Sequence, residues 1–328
     1  MYNYKDLGLV NMSKMMKKAN ENGYAVPAFN FISIEQFNGI IDALIEKKSP
    51  VILIVSPNLL RQLGGEMIAG IARAGVDRMK NEGVDCQIAL HLDHGMSYEH
   101  CVHAIDCGFS SVMIDGSALS FDENVALTKK VVDYAHAKDV SVEGELGVLS
   151  GSEESIENGD CEHSVKSHYT DPTMVEEFVA KTGVDCLAIS IGTCHGLVKM
   201  QPLPDGSLPE LRYDILEDVN NRLPNYPIVL HGSSAIEKKY VDMINTYGGN
   251  LAQTVGIPEE QVAKAAKMGI AKVNIASDGW ISALALTRKI LSENPDAIDS
   301  RVFTLKIRPE LKELYMHKIT LLGSENRL

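Results

Sequence analysis

The sequence predicts an α/β fold, a single (β/α)8 barrel spanning residues 1–328 with additional helices at its ends. Three observations point there. Eight short apolar runs alternate with longer segments of helical period. No composition break or linker divides them into separate domains. Nearly every apolar run ends in a residue able to do chemistry, as expected at the C-terminal edge of such a barrel, where the loops converge on one mouth.

Taken in order, a polar helical start covers residues 12–20. The runs 25–29, 51–55, 87–92, 111–114, 140–144, 186–191, 228–230 and 271–275 are short and apolar, as strands covered on both faces are. Helical segments follow at 34–47, 65–80, 98–106, 123–137, 173–181, 236–247 and 258–267, and the stretches 283–291 and 310–322 close the chain. Residues 123–137 illustrate the pattern: Val125, Thr128, Val131, Val132 and Ala135 share one face, with Lys129, Lys130 and Asp133 elsewhere. Residues 149–171 and 200–213 are too polar and irregular for framework. Both follow strands on the expected catalytic side, where long loops serve as lids.

Composition narrows the function. With 31 basic and 44 acidic residues the net charge is −13, which repels nucleic acid and anionic membranes over most of the surface. Apolar runs such as Val51-Ile-Leu-Ile-Val55 are far too short to span a bilayer, and residues 1–20 lack the apolar region of a signal peptide, so a cytoplasmic protein is expected. The six cysteines form no Cys-x-x-Cys pair and read as reduced thiols. Cys194 beside His195 invites a nucleophile, but neighbours on a strand face opposite ways.

The strand ends carry Asn30, Ser56, Asp93 with His94, Asp115, Glu143 with Glu145, His195, His231 with Ser233 and Ser234, and Asn274 with Ser277 and Asp278. A polar residue at a strand end is commonplace. Three strand ends carrying His-Gly (His94-Gly95, His195-Gly196, His231-Gly232) are not, and three histidines with a fourth position left for water or substrate match catalytic zinc. Three unrelated core histidines, with Asp93 capping the next helix, are the competing explanation. The glycines also let backbone N–H groups approach a phosphate, with Thr193, Ser233, Ser234 and Ser277 adding hydroxyls.

From Asn11 to Gly323 the chain resembles the class II, zinc-dependent fructose-bisphosphate and tagatose-bisphosphate aldolases. The resemblance is carried by Pro27-Ala-Phe-Asn30, His91-Leu-Asp-His-Gly95, Gly108-Phe-Ser-Ser-Val-Met-Ile-Asp115, Val142-Glu-Gly-Glu-Leu-Gly147, Gly192-Thr-Cys-His-Gly196, Leu230-His-Gly-Ser-Ser234 and Lys272-Val-Asn-Ile275. It implies a TIM barrel that works as a homodimer or homotetramer on a sugar phosphate, cleaving a ketose 1,6-bisphosphate reversibly to dihydroxyacetone phosphate and an aldehyde. It implies Zn2+ on His94, His195 and His231, with room for a monovalent cation (Na+ or K+), and Asp93 as the catalytic carboxylate. Asp115 and Glu145 match carboxylates near the metal or at an alternate metal position. Gly196, Lys199, Gly232, Ser234, Asn274 and Ser277 match positions around the substrate phosphate; Asn30, Ser56 and Ser233 join this substrate-binding set from their strand ends. Arg301 matches an arginine that reaches the distal phosphate, often from a neighbouring subunit. A loop acid that exchanges a proton with the enediolate falls on Glu153, with Glu154 as the alternative.

The sequence departs from the fructose-bisphosphate pattern after strand eight. The pattern there is Asn-x-Asp-[Ser/Thr]-Asp followed by an arginine, whereas this chain has Ala276 at the substrate-contacting Asp and Trp280, its only tryptophan, at the arginine. Losing the carboxylate removes a charged acceptor whose absence typically costs about 1.5–3 kcal/mol. Ser150 and Ser33 also depart from the pattern. The metal half of the site reads as intact and the aldehyde half as altered, which gives weight to tagatose bisphosphate or another phosphorylated ketose. A zinc hydrolase on the same barrel, and a weakly catalytic relative kept for binding or regulation, are the alternatives. No lysine stands at a strand's C-terminal end for Schiff-base chemistry.

Overall fold

The computed structural model describes residues 2–149, 168–251 and 254–328. Eight parallel strands close into a barrel in sequence order. They are β1 (Val26–Asn30), β2 (Val51–Val55), β3 (Ile88–Gly95), β4 (Ser111–Ile114), β5 (Ser141–Leu146), β6 (Cys186–Ile189), β7 (Ile228–Leu230) and β8 (Ile270–Ile275). The expected (β/α)8 fold is therefore the one observed. The described helices are α1 (Met12–Glu21), α2 (Ile34–Lys47), α3 (Pro57–Leu63), α4 (Gly65–Asn81), α5 (Tyr98–Asp106), α6 (Phe121–His136), α7 (Val175–Thr182), α8 (Tyr213–Arg222), α9 (Lys238–Thr246), α10 (Glu259–Lys267), α11 (Ser277–Glu293) and α12 (Arg301–Leu321).

Two of these helices lie outside the sequence reading. Ser56 caps α3 by accepting from Leu59 N–H and Pro57 pre-sets its first turn, but its seven residues are too few to show a period. In α8, Ile215, Leu216 and Val219 bury one narrow face. Two other helices start early: α11 at Ser277 and α12 at Arg301, the latter running through Pro309, which by itself reads as a helix start. Residue 236 lies before α9, with φ +49°, because a side chain holds its N–H, as described below.

Strand alternation sorts the core into two bodies. Outward-facing Phe29, Leu53, Leu90, Val112, Val142, Leu187, Leu230 and Val273 meet the helices. Inward-facing Val26, Ala28, Ile52, Ala89, Cys186, Val229 and Ala271 fill the barrel, whose lower end is plugged by Met12, Met15 and Met16 of α1. The register then stacks polar side chains above that floor: His91 pairs with Ser111, Met113 with Glu143, and Glu145 with Ala188.

The chain's last segment clasps its first. Ala25 N–H donates to Leu322 O at 3.1 Å and Asn326 N–H to Lys47 O at 2.9 Å. Ser49 Oγ donates to Ser324 Oγ at 2.9 Å. Between α2 and α12, Gly39 permits close approach, since a Cβ there would stand 3.0 Å from Leu311 Cβ. Asp42 of α2 pairs with Arg308 of α12 at 2.5 and 2.8 Å and with Arg78 of α4. Burial works against the Asp42 charge, but hydrogen bonds from Arg308 and Arg78 outweigh it and lower its pKa. This contribution to stability is thus complete above the ordinary carboxylate value of 3.8 and is lost as pH falls through the lower folded value. Asp42→Ala should cost about 1–3 kcal/mol in a denaturant titration at pH 7; an unchanged midpoint would remove the clasp's role.

Candidate active site

The strands deliver the chemistry-bearing residues to one mouth through a specific irregularity. Strict alternation would send Asp93 and His94 to opposite faces. Here His94 adopts φ +50°, and the β3–β4 register slips between Leu92 and Gly95, so both side chains serve the mouth. Gly95 must follow, because a Cβ there would stand 2.6 Å from Met113 O. At β7 the same logic applies: Gly232 has φ +64°, and a Cβ would meet Cys194 O at 2.5 Å. That close approach presses the segments carrying His195 and His231 together, and Thr193 Oγ1 ties them by donating to His231 O at 2.7 Å.

The result is a cluster of three imidazoles. Ring centroids of His94 lie 4.6 Å from His195 and 4.7 Å from His231. Candidate ligand atoms of the three lie within 4.8 Å of one another, as do those of His94, Asp115 and Glu145. Each outer nitrogen of two rings is anchored: His94 Nδ1–H donates to Asp115 Oδ2 at 3.0 Å, and His231 Nε2–H to Glu143 Oε1 at 2.8 Å. Their inner nitrogens, His94 Nε2 and His231 Nδ1, face one another at 2.8 Å.

Electrostatics divides the cluster. Burial lowers the pKa of His195 and His231 well below the usual range, reinforced by neighbouring His94, so both are neutral. Burial also opposes charge on His94, but the Asp115 hydrogen bond and the carboxylates of Asp93, Asp115 and Glu145 prevail, raising it to about 10. Asp115 is lowered because its bonds to His94 and Ser117 outweigh burial. Glu145 is pushed well up, first by burial and then by Asp115, and its Oε2 is buried without a partner. Three imidazoles, two of them neutral and one sharing a proton across the inner gap, together with an orphaned carboxylate oxygen, suit a divalent cation that would take the proton's place.

Around the cluster, Asp93 is 2% exposed and its Oδ1 accepts from Asn274 Nδ2 at 2.9 Å. Asn274 Oδ1 and Ser277 Oγ are buried with no partner, so both are available to a ligand. Ser234 Oγ accepts from Ala276 N–H, and Ser233 Oγ donates to Leu230 O and His231 O. Gly196, in the left-handed region at φ +90°, has open space where a Cβ would be, and buried Lys199 lies near enough to help keep His195 neutral. The loop after β7 is gripped from behind: Asp278 accepts from Ala235 N–H and Ile236 N–H at 3.1 and 2.7 Å, and Lys318 pairs with Asp278 at 2.8 Å.

Other expected site residues stand apart. Asn30 is at the mouth but committed, its Nδ2 donating to Ile54 O and its Oδ1 accepting from Trp280 Nε1 at 2.8 Å. Ser56 is engaged as the α3 cap. Arg301 is exposed at the start of α12 and bonded to Asp299. Glu153 and Glu154 fall outside the described residues. His91 is not at the mouth; fully buried, it bonds Ser111 Oγ at 2.8 Å. A cavity of about 720 Å³ lined by Tyr4, Asn11, Lys14, His136 and Asp185 holds none of these groups and is not the site of the chemistry. Glu143 and Lys272 form an ion pair under the imidazoles; Glu143 stands among the strand-end acids but without an assigned role, and Lys272 is not among the expected site residues. The signal for Glu143 was present in Glu143-Gly-Glu145, since alternation points both acids inward.

The family model for fructose-bisphosphate aldolase class-II matches residues 10–327. The chain belongs to that family. It is 50% identical to the fructose-bisphosphate aldolase of Treponema pallidum (strain Nichols), over 100% of both chains. It is 39% identical to that of Giardia intestinalis, over 96% of this chain and 93% of the other. Among solved structures, the YdjI aldolase from Escherichia coli K12 superposes with a TM-score of 0.73 at 28% identity, covering 97% of this chain and 99% of that one. The protein is accordingly an aldolase, a lyase, with a histidine-rich site suited to a metal at the barrel mouth. No described helix of this aldolase is long and apolar enough to cross a membrane.

Proposed function

We propose that this aldolase is zinc-dependent and cleaves the C3–C4 bond of a ketose 1,6-bisphosphate reversibly, releasing dihydroxyacetone phosphate and an aldehyde. The observation that carries the reading is Asp93, nearly fully buried beside the three imidazoles and oriented by Asn274 Nδ2 at 2.9 Å. Zinc held by His94, His195 and His231 would supply Lewis acidity, placing positive charge where the enediolate develops negative charge.

The chain's own groups do the rest. Asp93 takes the proton from the hydroxyl on carbon 4 during cleavage and returns it during condensation. Asn274 keeps the Asp93 carboxylate turned to that proton. Gly196, Gly232, Ser234 and Ser277 offer N–H and hydroxyl groups to the phosphate, with Lys199 as counter-charge in a chain of net charge −13. Glu153 is the group we assign to proton exchange with the enediolate. In keeping with the resemblance, we place the enzyme in the cytoplasm as a homodimer or homotetramer, with Arg301 reaching a neighbour's site and a monovalent cation assisting the phosphate.

Fructose bisphosphate is the first substrate to expect, by likeness to the Treponema and Giardia relatives. Tagatose bisphosphate is the second, favoured by Ala276, while Trp280, which bonds to Asn30 where a cation would otherwise meet phosphate, leaves room for a different or less phosphorylated acceptor. Condensation of dihydroxyacetone phosphate with phosphorylated and unphosphorylated aldehydes, read out by product stereochemistry at carbon 4, separates the two. Failure of every aldehyde would sink the aldol reading. Because Trp280 is the only tryptophan and lies at the mouth, saturating dihydroxyacetone phosphate should shift its emission; no shift would place the ligand away from Asn30.

A further inference from the structure

Beneath the imidazoles lies a buried charged pair that the reaction above does not use. Glu143 of β5 and Lys272 of β8 are fully buried and reach each other across the barrel interior, Lys272 Nζ donating to Glu143 Oε2 at 2.8 Å. Such a pair is a poor way to stabilise a fold, since apolar residues of similar volume commonly do as well. Its geometry suggests another use. With Oε2 drawn to Lys272, Oε1 is left facing His231 Nε2 at 2.8 Å. The other neighbours of Oε2 are looser: His91 Nε2 stands at 3.7 Å and Cys186 Sγ at 3.8 Å. Neither holds the carboxylate as an ammonium does.

The orientation of Glu143 decides which nitrogen of His231 carries hydrogen. An acceptor at Nε2 keeps the hydrogen there and leaves the Nδ1 lone pair pointing into the cluster, toward His94 Nε2. Were the carboxylate free to rotate away, His231 would lose the partner that selects this tautomer.

We infer that Lys272 is a positioning residue for metal binding: through Glu143 it holds His231 in the Nε2–H form, with Nδ1 presented to the cation. The inference rests on the metal-dependent reading above and adds the cause of one ligand's orientation. It concerns a residue on the barrel floor that touches no substrate.

The test is the zinc dissociation constant of the full-length protein, measured by competition with a chromophoric chelator. Lys272→Met should weaken zinc about 10- to 100-fold. Adding Glu143→Gln to it should restore most of the loss, because the amide oxygen still accepts from His231 and the amide N–H can donate to His91 Nε2. An unchanged constant in Lys272→Met overturns the inference, and so does a double variant no tighter than the single one. A measurement that needs no variant is the ¹⁵N spectrum of histidine-labelled wild-type protein, expected to show hydrogen on His231 Nε2; hydrogen on Nδ1 overturns the proposal even where the variants do not fold. If the wild-type protein fails to bind zinc, the metal-dependent reading falls; if it binds and the variants match it, only this inference falls.

Discussion

Asp93→Asn should lower kcat for cleavage about 10²- to 10⁴-fold, the range that a lost general acid–base normally accounts for. The substitution keeps the shape of the side chain, and its amide oxygen can still accept from Asn274 Nδ2. What it removes is the ability to take a proton from carbon 4's hydroxyl. Zinc content should therefore stay at the wild-type level while turnover collapses, and exchange of the C–H proton of dihydroxyacetone phosphate with solvent should survive better than cleavage does. That split matters, because a residue needed only for folding or metal retention would lose all three together. Full cleavage activity in the variant would mean that Asp93 is not the proton-transfer group.

Removing the metal should have the larger effect still. Dialysis against a strong chelator should reduce cleavage to the background rate, and added Zn2+ should restore it, since Lewis-acid stabilisation of the enediolate has no substitute among the described side chains at the mouth. Borohydride in the presence of substrate should leave the enzyme active. Lys272, the most deeply placed of the described lysines, is fully buried and ion-paired with Glu143, so it is neither reachable by substrate nor a free amine. Inactivation by borohydride with resistance to chelation would reverse the assignment of chemistry altogether.

The barrel was legible where burial on both faces writes a strand as an unbroken apolar run: β2, β4 and β7 begin and end where those runs do. Legibility fails where polar residues are buried against partners that only the closed barrel supplies. Thus β3 continues through Asp93 and His94 to Gly95, and β5 through Glu145 to Leu146, beyond the apolar stretches that announce them. The three His-Gly pairs could be read as one cluster because the same dipeptide recurs after three strands; Gly95 and Gly232 mark tight approaches while Gly196 serves a left-handed turn, and the structure brings the three rings together. Lys272 could not be read that way. Its meaning depends on Glu143, which is remote in sequence and adjacent only across the barrel. Trp280 stood out as a departure, but its bond to Asn30 joins β1 to α11 and has no local signature.

The clasp between the two chain ends also bears on how the molecule comes into being. Until β8 and the residues around Leu322 and Asn326 have left the ribosome, β1 is paired with β2 alone and α2 lacks its cover. The growing chain therefore carries an open, apolar sheet edge until β8 emerges, the kind of surface that recruits other chains. Closing so long a loop costs little extra in equilibrium terms, because the entropy rises only logarithmically with length, but it delays the final step. Disruption of the Leu322 and Asn326 contacts should consequently be felt first as a poor yield of folded protein during synthesis.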